Sequence, residues 1–483
     1  MGGSDIVYIY TMSFMRYRAI GNNEYAYSVE AYWDSQLKKS RQKTTYLGIV
    51  IDKDKGIYKR PRKENGGNEL ILDFGDTFML DEVIKESPIY EVIRKTFGTL
   101  SNEILALGYY KLCHPSAMSH AHNFYSGNYI NQLFPDTNIR SQRVSELLKN
   151  IGREKTLRHF FDKYIPTIKD RENGLIIDST ALPNQIHMPL SAWGYADGNI
   201  EMSIKFLFVT TKECGHPLYF RYLPGSIPDV SLVTNTLEEL KVYGVKSSVA
   251  LLDAGFYSVD NIAKLREAQL PFLTRLPASR KIFKELIKKV APHIDVARNA
   301  TQYGKRILFV KHEKVEVEGM NLHAYVILDP ERKQKEVNKL LSDLLEDDLI
   351  DNNTDSELLA KGIFILLSSN EINRKQVVPL YYKRQKVEQL FGIAKDDLDL
   401  LPLRVHNEST LRGYLLINFI ALSMYVNLNT ALGDKYRVEE TLQIMRNLKC
   451  KVYSNKLLIS ERTKVQREIF EHLKILVPKT TGI

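Results

Sequence analysis

LIIDST, residues 175–180, contains an apolar run that ends on a carboxylate, Asp178. The pattern recurs in VALLDAG, residues 249–255, where the apolar run ends on Asp253. Such runs are typical of buried strands, and a carboxylate at the carboxyl end of a strand faces the edge where α/β sheets bind ligands. Two aspartates on neighbouring strands repel each other unless a cation lies between them. The pair therefore predicts a site for Mg²⁺ or Mn²⁺, although either aspartate alone could simply cap the turn that follows it.

The segments around these two runs predict a mixed α/β core. Its elements are expected at residues 175–178, 204–211, 217–223, 230–243, 248–253 and 270–274. The fourth of these has helical spacing, and a short helix is expected before the last one. The order of these elements along the chain is that of a ribonuclease H-like core: three strands, a helix, a strand and another helix.

The changes in pattern along the chain predict six segments. They are a small β-rich amino-terminal region (1–75), a helical domain with a basic face that could bind DNA (76–170), the first part of the ribonuclease H-like core (171–277), a β-rich insertion (278–360), the second part of the core (361–430) and a basic carboxyl-terminal region (431–483). The expected fold class is thus an α/β ribonuclease H-like core with a β-rich insertion, preceded by small β and helical regions.

The amino-terminal region is expected to contain a β-hairpin. Residues 26–32 and 44–51 have β-like patterns, and a basic run lies between them: Lys38, Lys39, Arg41 and Lys43. We expect these cations in the turn of the hairpin. There they would either contact DNA phosphates or only keep an edge strand solvated, and the sequence supports both interpretations equally.

Composition narrows the class of protein and its partners. The 67 Lys and Arg residues exceed the 58 Asp and Glu residues by nine, which favours a polyanionic partner but is weak alone. The three cysteines have no C-x-x-C spacing, so we expect reduced, buried thiols and no structural zinc. The amino terminus lacks a signal-peptide layout, and residues 414–428 are better explained as a buried core helix than as a membrane span. We expect a cytoplasmic protein.

A third carboxylate lies in a segment with helical spacing, residues 378–395. Arg384, Glu388 and Lys395 fall near one face of the predicted helix, and Tyr381 lies one turn before Arg384. Taken alone, Arg384 and Glu388 would be an ordinary i,i+4 salt bridge on a helix surface.

The spacing of these four residues resembles the Y-x(2)-R-x(3)-E-x(6)-K signature of insertion-sequence DDE transposases. The surrounding segments resemble the same family over roughly residues 25–480. They are DST (178–180), GHPL (215–218), PGSIPD (224–229) and DAGFYS (253–258).

This resemblance implies an activity and a set of site residues. Asp178, Asp253 and Glu388 would be the catalytic carboxylates and would hold two Mg²⁺ or Mn²⁺ ions. Tyr381, Arg384 and Lys395 would bind the DNA backbone near the cleaved end. Water would make the first nick, and the freed 3′-hydroxyl would then attack the target. The partners would be double-stranded DNA, both the terminal inverted repeats and the target, and a second copy of the chain. Such a protein would act at the nucleoid of a prokaryotic cell.

The family's insertion falls between the second aspartate and the glutamate, which are 135 positions apart here. Relatives that excise through a DNA hairpin stack a flipped base on a tryptophan of the insertion, whereas this chain has only Trp33 and Trp193. Candidates for that stacking are Tyr303, Phe309 and Tyr325, and each is also explained as a core residue. Asp229 could bind metal or cap the helix that follows it.

Two other functions are compatible with the motifs. The first is a metal-dependent nuclease that cuts DNA without joining it. The second is a DNA-binding repressor derived from a transposase. A repressor gains nothing from clustered carboxylates that repel DNA, so the three acids favour an enzyme.

Overall fold

The structure is a computed structural model of the chain. It describes residues 12–20, 23–34, 39–59, 70–169, 171, 173–184, 188, 190–196, 199–227, 232–246, 249–346, 354–453, 456–478 and 480–482. Asp229 and Lys38, which the sequence singled out, lie outside the described residues.

The strands are β1 (Met12–Ile20), β2 (Asn23–Asp34), β3 (Lys39–Asp52), β4 (Ile57–Lys59), β5 (Leu70–Asp73), β6 (Leu175–Pro183), β7 (Ala192–Ala196), β8 (Asn199–Thr211), β9 (Pro217–Pro224), β10 (Ala250–Leu252), β11 (Phe272–Arg275), β12 (Ala300–Tyr303), β13 (Arg306–Val317), β14 (Met320–Leu328), β15 (Ile363–Ser368), β16 (Lys449–Tyr453), β17 (Lys456–Ile459) and β18 (Thr480–Gly482).

The helices are α1 (Gly75–Lys85), α2 (Pro88–Phe97), α3 (Ser101–Cys113), α4 (Ala121–Gly127), α5 (Ile130–Leu133), α6 (Ser141–Ile151), α7 (Glu154–Tyr164), α8 (Leu232–Val242), α9 (Val259–Glu267), α10 (Lys281–Val290), α11 (Pro330–Glu346), α12 (Thr354–Ala360), α13 (Arg374–Tyr382), α14 (Gln385–Gly392), α15 (Glu408–Leu432), α16 (Val438–Arg446) and α17 (Lys464–His472).

The chain forms two compact units. The first comprises Met1–Leu70 and Val452–Lys456, and the second comprises Ile71–Lys451 and Leu457–Ile483. The finer division into six segments stays a prediction.

The first unit contains an antiparallel sheet of order β1-β2-β3-β4. The predicted hairpin is present as β2 and β3. Its basic residues are not confined to the turn, however, because Lys39, Arg41 and Lys43 lie within β3. Alternate residues of a strand point to the same face, so these three cations form a row on one face of the sheet.

The second unit is built on a mixed sheet of ten strands. Its order is β12-β13-β14-β15-β11-β10-β6-β8-β7, and β9 also pairs with β8. The strands β6, β8 and β9 are antiparallel neighbours, while β10 lies parallel to both β6 and β11. The strands β6 and β10, which the sequence predicted from their apolar runs, are buried along their paired residues.

The region between β11 and β15 contains the β-strands expected there, β13 and β14 among them. Its strands β12–β14 continue the main sheet, because β14 pairs with β15 and β15 with β11. The helix α10 was not expected. Its buried residues Phe283, Leu286, Ile287 and Val290 recur at helical spacing, and that periodicity was the available signal.

Helix α15 is a core helix. It is the one helix in the described part of the chain that is long and apolar enough to cross a membrane, and most of its residues are buried inside the protein. It packs against α6 and α3. Among the cysteines, Cys113 and Cys450 are buried as expected, whereas Cys214 is exposed. That difference arises because Cys214 follows the end of β8 in a turn.

Two glycines allow α6 and α15 to approach closely. A Cβ atom on Gly413 would overlap the carbonyl oxygen of Leu148, and one on Gly152 would overlap the carbonyl oxygen of Ser409. Both neighbours are backbone atoms, which cannot move aside as a flexible side chain would.

Gly413→Ala is expected to lower the free energy of unfolding by about 1–3 kcal/mol, because the added methyl group overpacks the interface between α6 and α15. Urea denaturation measures this change. Gly127→Ala is the matched control, since a Cβ atom at Gly127 meets nothing within 4 Å. Equal stabilities of the two variants would contradict the proposed close packing.

Candidate active site

The two aspartates lie side by side on neighbouring central strands of the main sheet, at the point where β10 ends. In the parallel pair β6 and β10, Ile177 is opposite Leu252, so the next residues are Asp178 and Asp253. Asp178 is buried within β6, whereas the Asp253 side chain is partly exposed just after β10. The sheet thus brings together two carboxylates that are 75 positions apart in the sequence.

The signature segment is two helices rather than the single helix that was expected. Helix α13 ends at Tyr382, and α14 begins at Gln385. Between them the backbone tightens into i→i+3 hydrogen bonds, from Lys383 N to Leu380 O and from Arg384 N to Tyr381 O. Arg384 therefore lies at the junction of α13 and α14.

Arg384 contacts all three carboxylates. Its Nη1 atom donates to Asp178 Oδ2 at 2.5 Å, and its Nη2 atom donates to Glu388 Oε1 at 2.5 Å. Nη2 also lies 3.5 Å from Asp253 Oδ1. The Tyr381 hydroxyl donates to the same Asp253 oxygen at 3.4 Å. Five of the six residues that the sequence predicted for the site are therefore in one cluster.

Burial and charge shift the ionisation of this cluster. Burial raises the pKa of Asp178 to about 7, with the charges of Asp253 and Glu388 acting in the same direction. The Arg384 guanidinium and the Ser179 N–H lower that pKa but do not offset the burial. For Arg384, burial lowers the pKa, yet the carboxylates outweigh it and hold the pKa above its ordinary value.

The carboxylates suit a hard divalent cation by donor type. Carboxylate oxygens are the ligands that Mg²⁺ prefers, and all three acids reach one guanidinium group. As the side chains stand, no three acidic, histidine or cysteine residues of the described segments are arranged to hold an ion. The guanidinium of Arg384 lies between them. By the chemistry of its donors, the set of three carboxylates fits divalent ions.

Lys395 is the predicted site residue that lies outside this cluster. It is half-buried in a π-helical turn, Ile393–Asp397, and forms no ion pair with another described residue. The turn that precedes the GHPL segment contacts the same region: Lys383 pairs with Glu213 at 2.6 Å, and Lys386 donates to the Glu213 carbonyl oxygen.

The aromatic residues suggested for base stacking have partners within the protein. The ring of Tyr303 stacks on Tyr382 with centroids 4.9 Å apart. Tyr325 is fully buried, and its hydroxyl donates to the Ile372 carbonyl oxygen at 2.8 Å. Phe309 is half-buried in β13. One face of the Tyr303 ring is therefore covered by Tyr382, and the Tyr325 ring is enclosed by the protein.

Sequence reasoning missed the direct contact between Arg384 and Asp178. The two aspartates indicate a cation between them, and the sequence predicts a metal ion there. The structure shows the guanidinium of Arg384, 206 positions from Asp178, in contact with both aspartates. Only the i,i+4 contact with Glu388 could be seen from local spacing.

Comparison with known protein families matches residues 169–424 to the model described as "Transposase DDE domain". The chain belongs to the transposase DDE domain family. The match covers more than half of the chain and includes Asp178, Asp253 and Glu388. Transposases of this family generally use divalent metal ions.

Two further comparisons add little to this family assignment. No curated protein matches the chain. A cryo-EM structure described as "piggyBac transposase synaptic complex with hairpin DNA" is 13% identical, with 77% of this chain and 70% of that chain covered and a TM-score of 0.38. At that score the likeness does not inform the details of the fold.

The raised pKa of Asp178 predicts how stability depends on pH without metal ions. Between about 3.8 and about 7 the folded chain holds a proton on Asp178 that the unfolded chain has lost. The free energy of unfolding should therefore fall as pH rises through this window, by at most about 1.4 kcal/mol per pH unit. Asp178→Asn should not show this fall in the free energy of unfolding. Urea denaturation of the wild-type and variant proteins from pH 4 to pH 8 therefore isolates the contribution of Asp178. Parallel stability profiles would show that Asp178 ionises normally.

Proposed function

We propose that this transposase cleaves DNA at transposon ends and joins the ends to target DNA, using Asp178, Asp253 and Glu388 to hold divalent ions, Mg²⁺ or Mn²⁺. The proposal rests on one observation: all three carboxylates contact the guanidinium of Arg384. Two ions are expected, because in-line attack on a phosphodiester requires stabilisation of both the entering and the leaving oxygen.

The strand order supports a ribonuclease H-like core. The strands run β9-β8-β6-β10-β11, with the first three antiparallel and the last two parallel to β6. In chain order this is 3-2-1-4-5, and α8 and α9 follow the third and fourth of these strands along the chain. Asp178 then lies on the central strand and Asp253 on its parallel neighbour.

The chain's own residues have distinct tasks in this scheme. The bound ions would supply Lewis-acid stabilisation of the charge that develops on the phosphodiester oxygens. Asp178 and Asp253 are fixed by paired strands, so their oxygens are held at defined positions. Glu388 lies in the first turn of α14 and is about half exposed, which leaves it free to adjust. Tyr381 orients Asp253 through its hydroxyl group.

Arg384 would exchange partners during binding. While the carboxylates lack metal ions, its guanidinium offsets part of their negative charge. Once divalent ions bind there, the guanidinium becomes available for a DNA phosphate, which it can hold through two parallel hydrogen bonds. Lys395, which has no ion pair in the described residues, would bind a neighbouring phosphate. The expected assembly is a homodimer on double-stranded DNA, located in the cytoplasm at the nucleoid.

Glu388→Gln should retain binding of transposon-end DNA within about twofold and lose cleavage by at least about a thousandfold, because it removes a metal ligand but no DNA contact. Gel-shift and cleavage assays on a labelled end measure the two properties. Glu357→Gln, an exposed position on α12, is the matched control. Equal loss of binding and cleavage in Glu388→Gln would count against the assignment.

A strand-transfer assay separates the proposal from the two other functions. With a labelled, pre-cleaved end and a target plasmid, a transposase yields a joined product. A nuclease that does not join yields none but still cuts an intact end, and a repressor does neither.

Arg384→Gln should bind Mn²⁺ more tightly than the wild-type chain without DNA, by roughly tenfold, because it removes the internal cation that competes with the metal. The same change should weaken binding of end DNA. Isothermal titration with Mn²⁺ measures the first effect. Weaker Mn²⁺ binding in a folded Arg384→Gln variant would contradict the exchange.

A further inference from the structure

The sheet of the amino-terminal unit has one face that is rich in aromatic residues. Residues directly opposite each other on antiparallel strands share a face, and Tyr27 lies opposite both Arg16 on β1 and Tyr46 on β3. We call this the aromatic face, and its aromatic members are Phe14, Tyr25, Tyr27, Trp33 and Tyr46. The Tyr46 ring centroid lies 5.4 Å from that of Tyr27 and 6.2 Å from that of Tyr25.

Three cations lie toward the edges of the aromatic face. Arg16 and Arg18 are on the edge strand β1, and Lys59 is on the other edge strand, β4, opposite Ile49. Ile49 in turn lies opposite Tyr25, which places Lys59 on the same face. One described carboxylate, Asp52, also lies on this face near the β4 edge, because it is opposite Ile57, two residues before Lys59. The face therefore has aromatic rings in its centre and positive charge at both edges.

The opposite face of the same sheet is different. It carries Glu24 and Glu30 together with the basic row of β3. Lys53 pairs with Glu24 at 3.0 Å, and Lys43 lies directly opposite Glu30. Two of its cations, Lys43 and Lys53, thus have a carboxylate beside them, and this face has fewer aromatic rings beside its charges.

The aromatic face is partly accessible. Trp33 is 60% exposed and Phe14 is 44% exposed, whereas Tyr25, Tyr27 and Tyr46 are half-buried. Arg18 and Lys59 are exposed as well. Within the described residues of this unit the four strands form a single layer, and a sheet normally buries one of its faces against another element or a partner.

We infer that the aromatic face binds an unpaired strand of nucleic acid. Bases would stack on the rings of β2 and β3, and phosphates would bind the cations toward the two edges. A duplex fits less well, because its base faces are covered by stacking and cannot reach the rings. This site is separate from the carboxylate cluster and needs no metal ion, so it goes beyond the proposed catalytic function.

Trp33 provides a direct reporter. The chain has only two tryptophans, so Trp193→Phe leaves Trp33 as the only one. Titrating this full-length variant with an oligothymidylate of about 12 nucleotides in EDTA should quench its fluorescence, because thymine stacks on the indole ring. Trp33→Phe, which keeps Trp193, is the matched control and should show little quenching. The chelator prevents cleavage, so the result does not depend on the proposed active site.

Charge substitutions then locate the phosphates. Arg18→Ala with Lys59→Ala, made in the Trp193→Phe background, should weaken oligothymidylate binding at least about tenfold and lower the slope of log affinity against log salt by about 1.4. Lys39→Ala with Lys43→Ala removes two exposed cations from the opposite face and should change neither value appreciably. All four side chains are exposed, so both variants are expected to fold.

Several outcomes would overturn the inference. They are an unquenched Trp33 at saturating oligothymidylate, equal losses of affinity in the two charge variants, and tighter binding with stronger quenching by a duplex of the same length. Self-association without nucleic acid that Arg18→Ala with Lys59→Ala abolishes would show instead that the face binds a second copy of the chain.

Discussion

The interaction on which the site depends is the contact of one guanidinium with three carboxylates. Asp178 is buried and lies close to Asp253 and Glu388, so the charges of the three carboxylates require a compensating positive charge. Arg384 supplies that charge, and its contacts with Asp178 and Glu388 are both 2.5 Å long. The cluster still carries three acids against one base, so it remains suited to further cations. The same surplus of negative charge explains why a DNA backbone would require metal ions at this site.

The fold determines which groups in this cluster are rigid. Asp178 lies on a central strand of the ten-stranded sheet, with β8 on one side and β10 on the other, and cannot move without breaking both pairings. Glu388 and Arg384 lie at the start of α14, where the backbone has only i→i+3 hydrogen bonds behind it. Asp178, on the sheet, is thus the fixed member of the cluster. Glu388 and Arg384, at the start of α14, are its adjustable members. This division suits a site that must exchange an internal cation for bound ions.

The sequence predicted the elements of the site better than the contacts within it. The apolar runs before Asp178 and Asp253 correctly indicated buried strands, because three or four apolar residues before a polar one leave little alternative. The break between α13 and α14 was missed, since it depends on how the backbone tightens after Tyr381. The contact between Arg384 and Asp178 was missed because nothing in local spacing reports a partner 206 positions away. The expectation of a charged turn failed for Lys39, Arg41 and Lys43 because β3 starts earlier than the apolar pattern suggested.

Anomalous X-ray diffraction from crystals of the chain soaked in Mn²⁺ would show whether the three carboxylates hold metal ions. Manganese peaks are expected about 2.1 Å from oxygens of Asp178, Asp253 and Glu388, with the Arg384 guanidinium withdrawn from Asp178. Manganese bound elsewhere, or no manganese at this cluster with Arg384 still in contact with all three acids, would contradict the metal binding proposed for these carboxylates.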